Sequence, residues 1–348
     1  MGARGLGWML LALVAAAPAQ SAAELTASGL QHFYNLEYPQ AIAIFTQETQ
    51  LTPDAAAAWN HLAQALLYQE MYRTGELETT LYGKGNAFLG RKRLQASPAA
   101  LTAFDRANRR AFACARDRLA THAGDAHAHY DLAVAWAMLA NEKFSLEHAW
   151  WPALSDAKHA RAEASRTVKL EPEFVDPELI LGVQSYVAGS LPWSARLLSS
   201  VVGYRGNKEQ GRRLIADVAA HGERARTDAS VLLAVVDRRD GLNRQAAPIL
   251  LGLSTQYPRN VLFAIEAGEA LEASGNHQAA ERQDQSVLRR ATAGAPGFNR
   301  APLGRVWYDL GEIEAIDGRW AEAATDYRHA AAVATAPASL RAAARRAA

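Results

Sequence analysis

The sequence predicts an all-α protein built from stacked helical hairpins, with an irregular helical region at its centre. Nearly every segment of the 348 residues carries apolar side chains at helical spacing, and no window shows the alternation of a strand. Alanine, the strongest helix former, is abundant, as in residues 55–58. A pattern of small and aromatic residues also recurs along the chain, which indicates a repeat architecture.

Residues 1–23 predict a secretory signal peptide. Arg4 supplies a positive start, and the apolar stretch at residues 8–17 is too short to span a bilayer as a mature helix. Small residues at 17–19 and at 21–23 both offer cleavage sites. The alternative is an N-terminal anchor helix. The leader and the usage rich in alanine and arginine predict a bacterial protein exported to the periplasm or the cell envelope.

The net charge and the cysteine content of the chain exclude some classes of function. Without Arg4 of the leader, the chain carries 36 basic and 36 acidic residues. This neutrality argues against a general nucleic-acid binder and against a protein held on a membrane by charge. Cys114 is the single cysteine and has apolar neighbours, so we expect a small buried side chain and no internal disulfide.

The clearest copy of the repeat spans residues 307–330. Gly311 and Ala323 mark the crossing of two antiparallel helices, where only a small side chain fits. Trp307 and Tyr327 would fill the adjoining groove, and Gly318 would end the first helix in a left-handed conformation.

This pattern resembles the tetratricopeptide repeat (TPR) in residue type and spacing. Matching positions recur in four further places, which hold Leu25, Gly29, Ala41, Phe45 and Pro53, then Trp59, Leu62 and Ala63, then Ala234, Gly241, Ala246, Leu250 and Pro258, and finally Gly268, Gly275 and Ala280. Three positions depart from the pattern: Glu314 replaces an aromatic residue, Asp284 an apolar one and Thr335 a proline. The resemblance implies a TPR-type helical-hairpin solenoid wound as a right-handed superhelix.

The resemblance also divides the chain. After the leader it implies N-terminal TPR units at 24–75, irregular or degenerate helical repeats with an insertion at 76–222, C-terminal TPR units at 223–337 and a helical tail at 338–348. Residues 182–226 are similar to a group of uncharacterised exported bacterial TPR proteins. They are more loosely similar to a eukaryotic TPR group associated with the outer mitochondrial membrane. These likenesses imply a fold rather than a function.

The segment GNKEQGRR at residues 206–213 has the glycine spacing of a phosphate-binding loop. Arginines replace the required lysine and hydroxyl residues, and the preceding segment favours a short helix over a buried strand. We therefore expect Gly203 and Gly206 to end one helix, Asn207 to cap the next and Gly211 to let two helices approach.

The sequence predicts no metal site, no cofactor and no catalytic residue. His122, His127 and His129 lie near Asp125 and Asp131, but their spacing lacks the geometry of metal ligands. Asp125 is better explained as a helix cap. No serine nucleophile motif occurs, and no base is placed beside the cysteine.

In TPR architecture the first helix of each unit lines the concave face. The matching groove positions, which we predict to bind a partner, are Asn60, Gln64, Tyr68, Arg238, Arg239, Glu269, Glu272, Arg305, Tyr308 and Glu312. They do not reproduce the Lys/Asn/Arg clamp by which some repeats hold a C-terminal carboxylate. The alternative for each is an ordinary solvated helix residue.

Three tryptophans of the central region have two interpretations. Trp150, Trp151 and Trp193 would most simply be core residues where helix pairs change angle. The alternative is a surface aromatic patch for a partner or a membrane.

These observations favour an exported, non-enzymatic scaffold that binds a protein or peptide, and no nucleic acid, in its concave groove. One alternative is an envelope assembly factor that contacts the bilayer through the three tryptophans. Another is an enzyme with an unrecognised site in the central region, which a cluster of buried groups with shifted pKa values would favour.

Overall fold

The computed structural model describes residues 20–77, 95–190, 206–299 and 301–348. Over these ranges the chain forms fifteen α-helices and no strand. The helices, numbered here in chain order, are α1 Ala22–Tyr34, α2 Tyr38–Leu51, α3 Ala56–Arg73, α4 Pro98–Thr121, α5 Ala126–Ser145, α6 Trp150–Leu170, α7 Glu178–Ser190, α8 Lys208–His221, α9 Arg226–Arg239, α10 Asn243–Gln256, α11 Val261–Ala273, α12 His277–Thr292, α13 Leu303–Ile316, α14 Trp320–Ala332 and α15 Ala338–Ala347. Among these helices, none combines the length and the apolar character needed to span a bilayer.

Successive helices pair into seven hairpins, from α1/α2 to α13/α14, and α15 packs on the last. The first helix of five hairpins ends in the same way, with a left-handed residue two positions after the helix. In the second hairpin and in the last three that residue is Gly75, Gly241, Gly275 and Gly318, with φ between 74 and 85°. In the first hairpin it is Leu36, at φ 62°.

Side chains of residues that precede the helices cap the N-termini of several helices. Ser21 and Glu24 form a capping box at α1, since the Ser21 hydroxyl accepts from the Glu24 N–H and the Glu24 carboxylate accepts from the Ser21 N–H. Asp125 caps α5, as predicted, by accepting from the N–H of Ala128 at 2.9 Å.

In the first hairpin and in the last two, the helices mesh through a glycine opposite a larger side chain 16 residues later. A Cβ added to Gly29 would lie 2.3 Å from the Phe45 ring, and one added to Gly311 would lie 2.7 Å from the Tyr327 ring. The predicted crossing points are therefore confirmed. The two helices approach more closely than a methyl group allows.

The first hairpin folds back onto the sixth. Arg259, between α10 and α11, donates from Nε and Nη2 to the two carboxylate oxygens of Glu37, at 2.7 and 2.8 Å. Asn260 donates to the Tyr34 carbonyl at 2.7 Å, and the Arg259 N–H donates to Asn35 at 2.8 Å. We call this set of contacts the closure; it brings residues more than 220 positions apart into one core.

Helix α11 lies at the centre of that core. All eleven residues from Val261 to Leu271 are buried. Helices α10, α12 and α13 pack around it, and Leu36 and Tyr72 from the first two hairpins contact the apolar cluster to which its side chains belong. A helix covered on every side is apolar over most of its surface, and the two carboxylates inside the buried stretch, Glu266 and Glu269, are paired with Arg238.

Candidate functional site

A pocket of about 120 Å³ lies among the first five hairpins. We call it the inner pocket; its polar lining includes Tyr34, Asn60, Gln64, Asp131, Arg224 and Asp228. Each helix that lines it, namely α1, α3, α5, α7 and α9, is the first of its hairpin. The other lining residues lie in the loops that lead into α7 and α9. The pocket thus lies on the face that a helical-repeat protein offers to partners.

Asp228, in the first turn of α9, has no cationic hydrogen-bond donor among the described residues. Its carboxylate accepts from the Tyr34 hydroxyl at 2.8 Å and from the Gln64 amide at 3.4 and 3.5 Å. Neither donor is cationic. Burial raises the pKa of Asp228 above its ordinary value, although the hydrogen bonds from Tyr34 and Gln64 and the electrostatic interaction with His61 oppose the shift. The N-terminal end of α9 also favours the negative charge.

Three predicted groove residues follow one another along α3. Asn60 is 3% exposed and donates through Nδ2 to the Asp131 carbonyl at 2.9 Å, while its Oδ1 has no hydrogen-bond partner among the described residues. Gln64 lies one turn further on, on the same side of the helix. Tyr68 continues the row into the core, where its ring centroid lies 5.3 Å from that of Phe33.

Asp131 on α5 is compensated by Arg224, which precedes α9, at 3.2 Å. Burial raises the pKa of Asp131 to about 6, and Arg224 opposes that shift. The guanidinium of Arg224 also lies 5.8 Å from the ring centroids of both Tyr130 and Phe174.

Asp176 holds the loop that carries Arg224 in place. It is fully buried, and its carboxylate accepts from the N–H groups of Glu223, Arg224 and Ala225 at 3.0, 2.8 and 2.5 Å. These bonds fix the start of α9, and therefore the position of Asp228 two residues further into the helix.

A second set of predicted groove residues meets across α9, α11 and α13. Arg238 pairs with Glu266 and also with Glu269, the latter at 2.7 Å. Arg305 Nε lies 2.6 Å from the other oxygen of Glu269. Glu269 is buried. Because its carboxylate is shared by an arginine of α9 and one of α13, it links three successive hairpins.

The remaining predicted groove residues lie beside this set. Glu312 accepts from the Tyr327 hydroxyl at 2.7 Å, and the Tyr308 ring centroid lies 5.4 Å from that of Tyr327. Arg239 is exposed and Glu272 is half-buried.

Asp284, the departure from the repeat pattern on α12, is buried against Gly268. Burial raises its pKa to about 8, with further contributions from Asp309, Glu269 and Glu272 and an opposing one from Arg305. The last three hairpins therefore place more carboxylates than arginines around α11.

The tryptophans are not core residues where the structure describes them. Trp151 is 77% exposed and Trp150 is 42% exposed, with its ring edge against Phe144. The core interpretation is wrong for these two because both stand in the first turn of α6, which leaves them at the surface. Trp193 lies outside the described residues.

Gly211 lets two helices approach, as predicted, and Gly206 also lies in a close contact; the helix that Gly206 was predicted to end lies outside the described residues. A Cβ on Gly211 would lie 2.4 Å from the Tyr186 backbone nitrogen, and one on Gly206 would lie 2.4 Å from the Ala188 side chain. Asn207 caps α8 by accepting from the N–H of Gln210 at 2.9 Å. Gly203 lies outside the described residues.

The three histidines face separate partners. His129 contacts Glu163 at 2.6 Å and the Ala123 carbonyl at 3.1 Å, so both of its ring nitrogens are engaged. His127 lies 3.8 Å from Glu171. His122 contacts the adjacent Thr121. Cys114 is buried, as expected.

Sequence reasoning found Asn60 and Gln64 of the inner pocket but missed Tyr34, Arg224 and Asp228. Asp228 has the pattern of an ordinary acidic residue in a first helical turn, and Tyr34 that of a core aromatic. One signal was present: residues 261–265 at the start of α11 are all apolar, and five consecutive residues cover every side of a helix, which indicates that further parts of the chain cover it.

Hairpins with small-residue crossings, 16-residue spacing and left-handed turns define a TPR-type helical-repeat protein. No family model and no curated protein matches the chain. Among solved structures it is similar to the APC/C hetero-tetramer Cut9-Hcn1, at 14% identity and a TM-score of 0.47, over 93% of this chain and 48% of that one. It is similar to a tetratricopeptide repeat protein from Parabacteroides merdae at 12% identity and a TM-score of 0.32, over 94% and 98% of the two chains.

Human IFIT1, as a dimer with m7Gppp-AAAA, is similar at 15% identity and a TM-score of 0.36, over 90% of this chain and 73% of that one. The chain spans about half the length of the Cut9-Hcn1 chain it matches. The assignment of the fold rests on the hairpins themselves.

Proposed function

We propose that this protein is a non-enzymatic helical-repeat scaffold that receives a segment of a protein partner on its inner face. One observation carries the proposal: first helices from five hairpins converge on the inner pocket, and a buried amide oxygen of Asn60 there has no donor in the part of the chain that the structure describes. A buried acceptor without a donor is costly, and a partner group that donates a hydrogen bond would remove that cost.

A pocket-filling variant tests the proposal. Ala57 lies half-buried at the pocket, so Ala57→Trp would block it. Ala220, exposed on the second helix of its hairpin, offers Ala220→Trp as a matched control. In pull-downs from envelope extract followed by mass spectrometry, we expect the unaltered chain and the control to retain the same partner and Ala57→Trp to lose it. Equal retention by all three would refute the role of the pocket.

The proposal includes export through the leader, to the periplasm or the cell envelope. Cleavage after Ala19 would leave the capping box of Ser21 and Glu24 intact, whereas cleavage after Ala23 would remove the Ser21 cap and shorten α1. We therefore expect the intact mass of the exported protein to be that of a chain whose first residue is Gln20. A chain found only in the cytoplasm would contradict the export proposal.

Membrane contact is a second candidate, favoured by the exposure of Trp151. Liposome flotation of the full chain and of a Trp150→Ser/Trp151→Ser variant would separate it from the scaffold proposal. Flotation that is lost in the variant would support membrane contact; a chain that never floats would exclude it.

The enzyme alternative has some support in the inner pocket, since burial raises the pKa values of Asp131 and Asp228. However, no Ser, Thr, Cys or Lys is among the described residues that line it. The two carboxylates are held by Arg224 and by Tyr34 with Gln64, so we favour binding over catalysis.

A further inference from the structure

We propose that the inner pocket binds a cationic side chain, lysine or arginine, presented by the partner segment. This inference rests on the proposed scaffold function and adds the chemical class of the group that is recognised. It follows from the charge balance, the free acceptor and the apolar walls of the pocket.

Of the three carboxylates that line the pocket, only that of Asp228 has neither a cationic partner nor a set of backbone N–H donors within the described ranges. Asp131 is paired with Arg224, and Asp176 accepts three backbone N–H groups. His61 faces both oxygens of Glu48 at 3.2 Å. Asp228 alone has only neutral donors, Tyr34 and Gln64. A buried carboxylate in that position is stabilised most by a cation that also donates hydrogen bonds.

The two acceptors of the pocket that lack a matching donor in the described parts of the chain, Asn60 Oδ1 and the Asp228 carboxylate, favour the same class of ligand. Asn60 Oδ1, for which no described residue supplies a donor, belongs to the residue one helical turn before Gln64, and Gln64 contacts Asp228. An ammonium or guanidinium group offers several N–H donors and no acceptor, so one group can serve both Asp228 and Asn60. A neutral or anionic group would leave the charge of Asp228 unmatched.

The apolar walls of the inner pocket can pack against the methylene stem of a long side chain. Leu30, Val134, Met138 and Leu179 contribute apolar surface around the polar residues. Lysine and arginine bury their methylene stems against such surface while the charged end finds a polar partner. The volume of about 120 Å³ is roughly ten times what a single water needs, so the pocket has room for a group of side-chain size.

The test uses small probes that carry only the recognised chemistry. The full chain is titrated with n-butylammonium and n-butylguanidinium, and with neutral n-butanol at the same concentrations, while NMR follows the side-chain amides of Asn60 and Gln64. We expect saturable shifts with at least one cation and none with n-butanol. In Asp228→Asn, which keeps an acceptor for Tyr34, affinity for the cation should fall roughly 30-fold or more.

The control variant Asp105→Asn removes the same charge from a half-exposed site on α4, and it should bind as the unaltered chain does. Equal shifts with n-butanol, no saturable shift with either cation, or unchanged cation affinity in Asp228→Asn would overturn the proposal. The comparison with n-butanol uses the unaltered chain, so it decides the question even if Asp228→Asn is unstable.

A second arm separates this inference from the scaffold proposal. Randomised decapeptides are selected on the unaltered chain and on Asp228→Asn. Enrichment of lysine or arginine at one position, lost in the variant, supports both proposals. Peptides that bind without that preference would support the scaffold and overturn cation recognition. Binding of the butyl cations without any peptide would support the cation site and count against the peptide scaffold.

Discussion

Arg259 holds Glu37 through two parallel hydrogen bonds, of 2.7 and 2.8 Å, across 222 positions of sequence. The pair joins the first hairpin to the loop before α11. A simple solenoid contacts only its neighbouring repeats, whereas this chain bends back until its first unit covers its sixth. The bend also encloses the inner pocket.

The Glu37–Arg259 pair should show measurable coupling. In a double-mutant cycle with Glu37→Gln and Arg259→Gln, we expect a coupling energy of about 1 kcal/mol from urea unfolding, because the bidentate geometry is preorganised and partly buried. The exposed pair Asp105 and Arg109 on α4 is the control, with an expected coupling below about 0.5 kcal/mol. Equal values for both pairs would show that the closure depends on packing alone.

The same pair predicts a loss of stability in acid. Burial alone would raise the pKa of Glu37, but the hydrogen bonds from Arg259 and His32 outweigh it and lower the pKa below its usual 4.5. The folded state therefore binds this proton less readily than the unfolded state. Its contribution is present above the unfolded pKa and is lost as pH falls through the folded one. Glu37→Gln should lose this dependence in unfolding curves between about pH 5 and pH 2.

Leu36 should tolerate glycine better than alanine. It stands at φ 62° where four later hairpins have glycine, and its side chain packs against both core clusters of the closure. Leu36→Ala loses the packing and keeps the strain, whereas Leu36→Gly loses the packing and relieves the strain. We expect Leu36→Gly to be the more stable variant by about 1 kcal/mol.

At the control position Leu25, buried inside α1, the order should reverse, because there glycine is the worse helix former by about 1 kcal/mol. Thermal or urea unfolding of the four variants measures both differences. The same order at both positions would contradict a strained Leu36.

Glycine-to-alanine substitutions should have opposite signs at two helical positions. Gly29→Ala places a methyl group 2.3 Å from the Phe45 ring, so we expect a cost of about 1–3 kcal/mol. Gly252, exposed on α10, has nothing within 4 Å of an added Cβ. Gly252→Ala should therefore stabilise the chain by about 0.5–1 kcal/mol. Denaturant midpoints at constant slope give both values, and a neutral Gly29→Ala would mean that the crossing can widen.

Asp284 should make the protein less stable as pH rises. Its folded pKa of about 8 lies above the unfolded value of 3.8, so the folded state holds a proton that the unfolded state has released. Stability from this residue is fully present at low pH and falls between about pH 4 and pH 8. Relative to the unaltered chain, Asp284→Asn should gain roughly 4 kcal/mol between pH 5 and pH 9, because each pH unit up to the folded pKa is worth about 1.4 kcal/mol. Asp105→Asn is the control and should show no such gain.

Removing Arg238 should be costly because it leaves Glu266 and Glu269 buried with less compensation. We expect Arg238→Ala to lose about 3 kcal/mol, and the double variant Arg238→Ala/Glu266→Gln to recover part of that loss. Arg213→Ala, at an exposed position on α8, is the control and should stay within about 0.5 kcal/mol. Unfolding free energies decide the matter; no recovery in the double variant would mean that Arg238 acts through packing.

Much of the fold was predictable, because the repeat consists of particular residue types at fixed, short separations in the sequence. Gly29 and Phe45, and Gly311 and Tyr327, stand 16 residues apart in sequence and meet in space. Capping by Asp125 and Asn207 was likewise predictable, since the donors lie three residues from the cap. The exposure of Trp151 was not, because an apolar residue at a helix start carries no local mark of whether a neighbour covers it.

By itself the sequence determined the helices, their turns and their pairing into hairpins of TPR type, since those depend on contacts between residues close in the chain. Only the tertiary structure decided how far the array bends. The angle between hairpins is summed over many packed interfaces, and no local pattern encodes the sum. That bend places Glu37 on Arg259 and Tyr34 on Asp228, and so it builds the inner pocket from residues that the sequence keeps far apart.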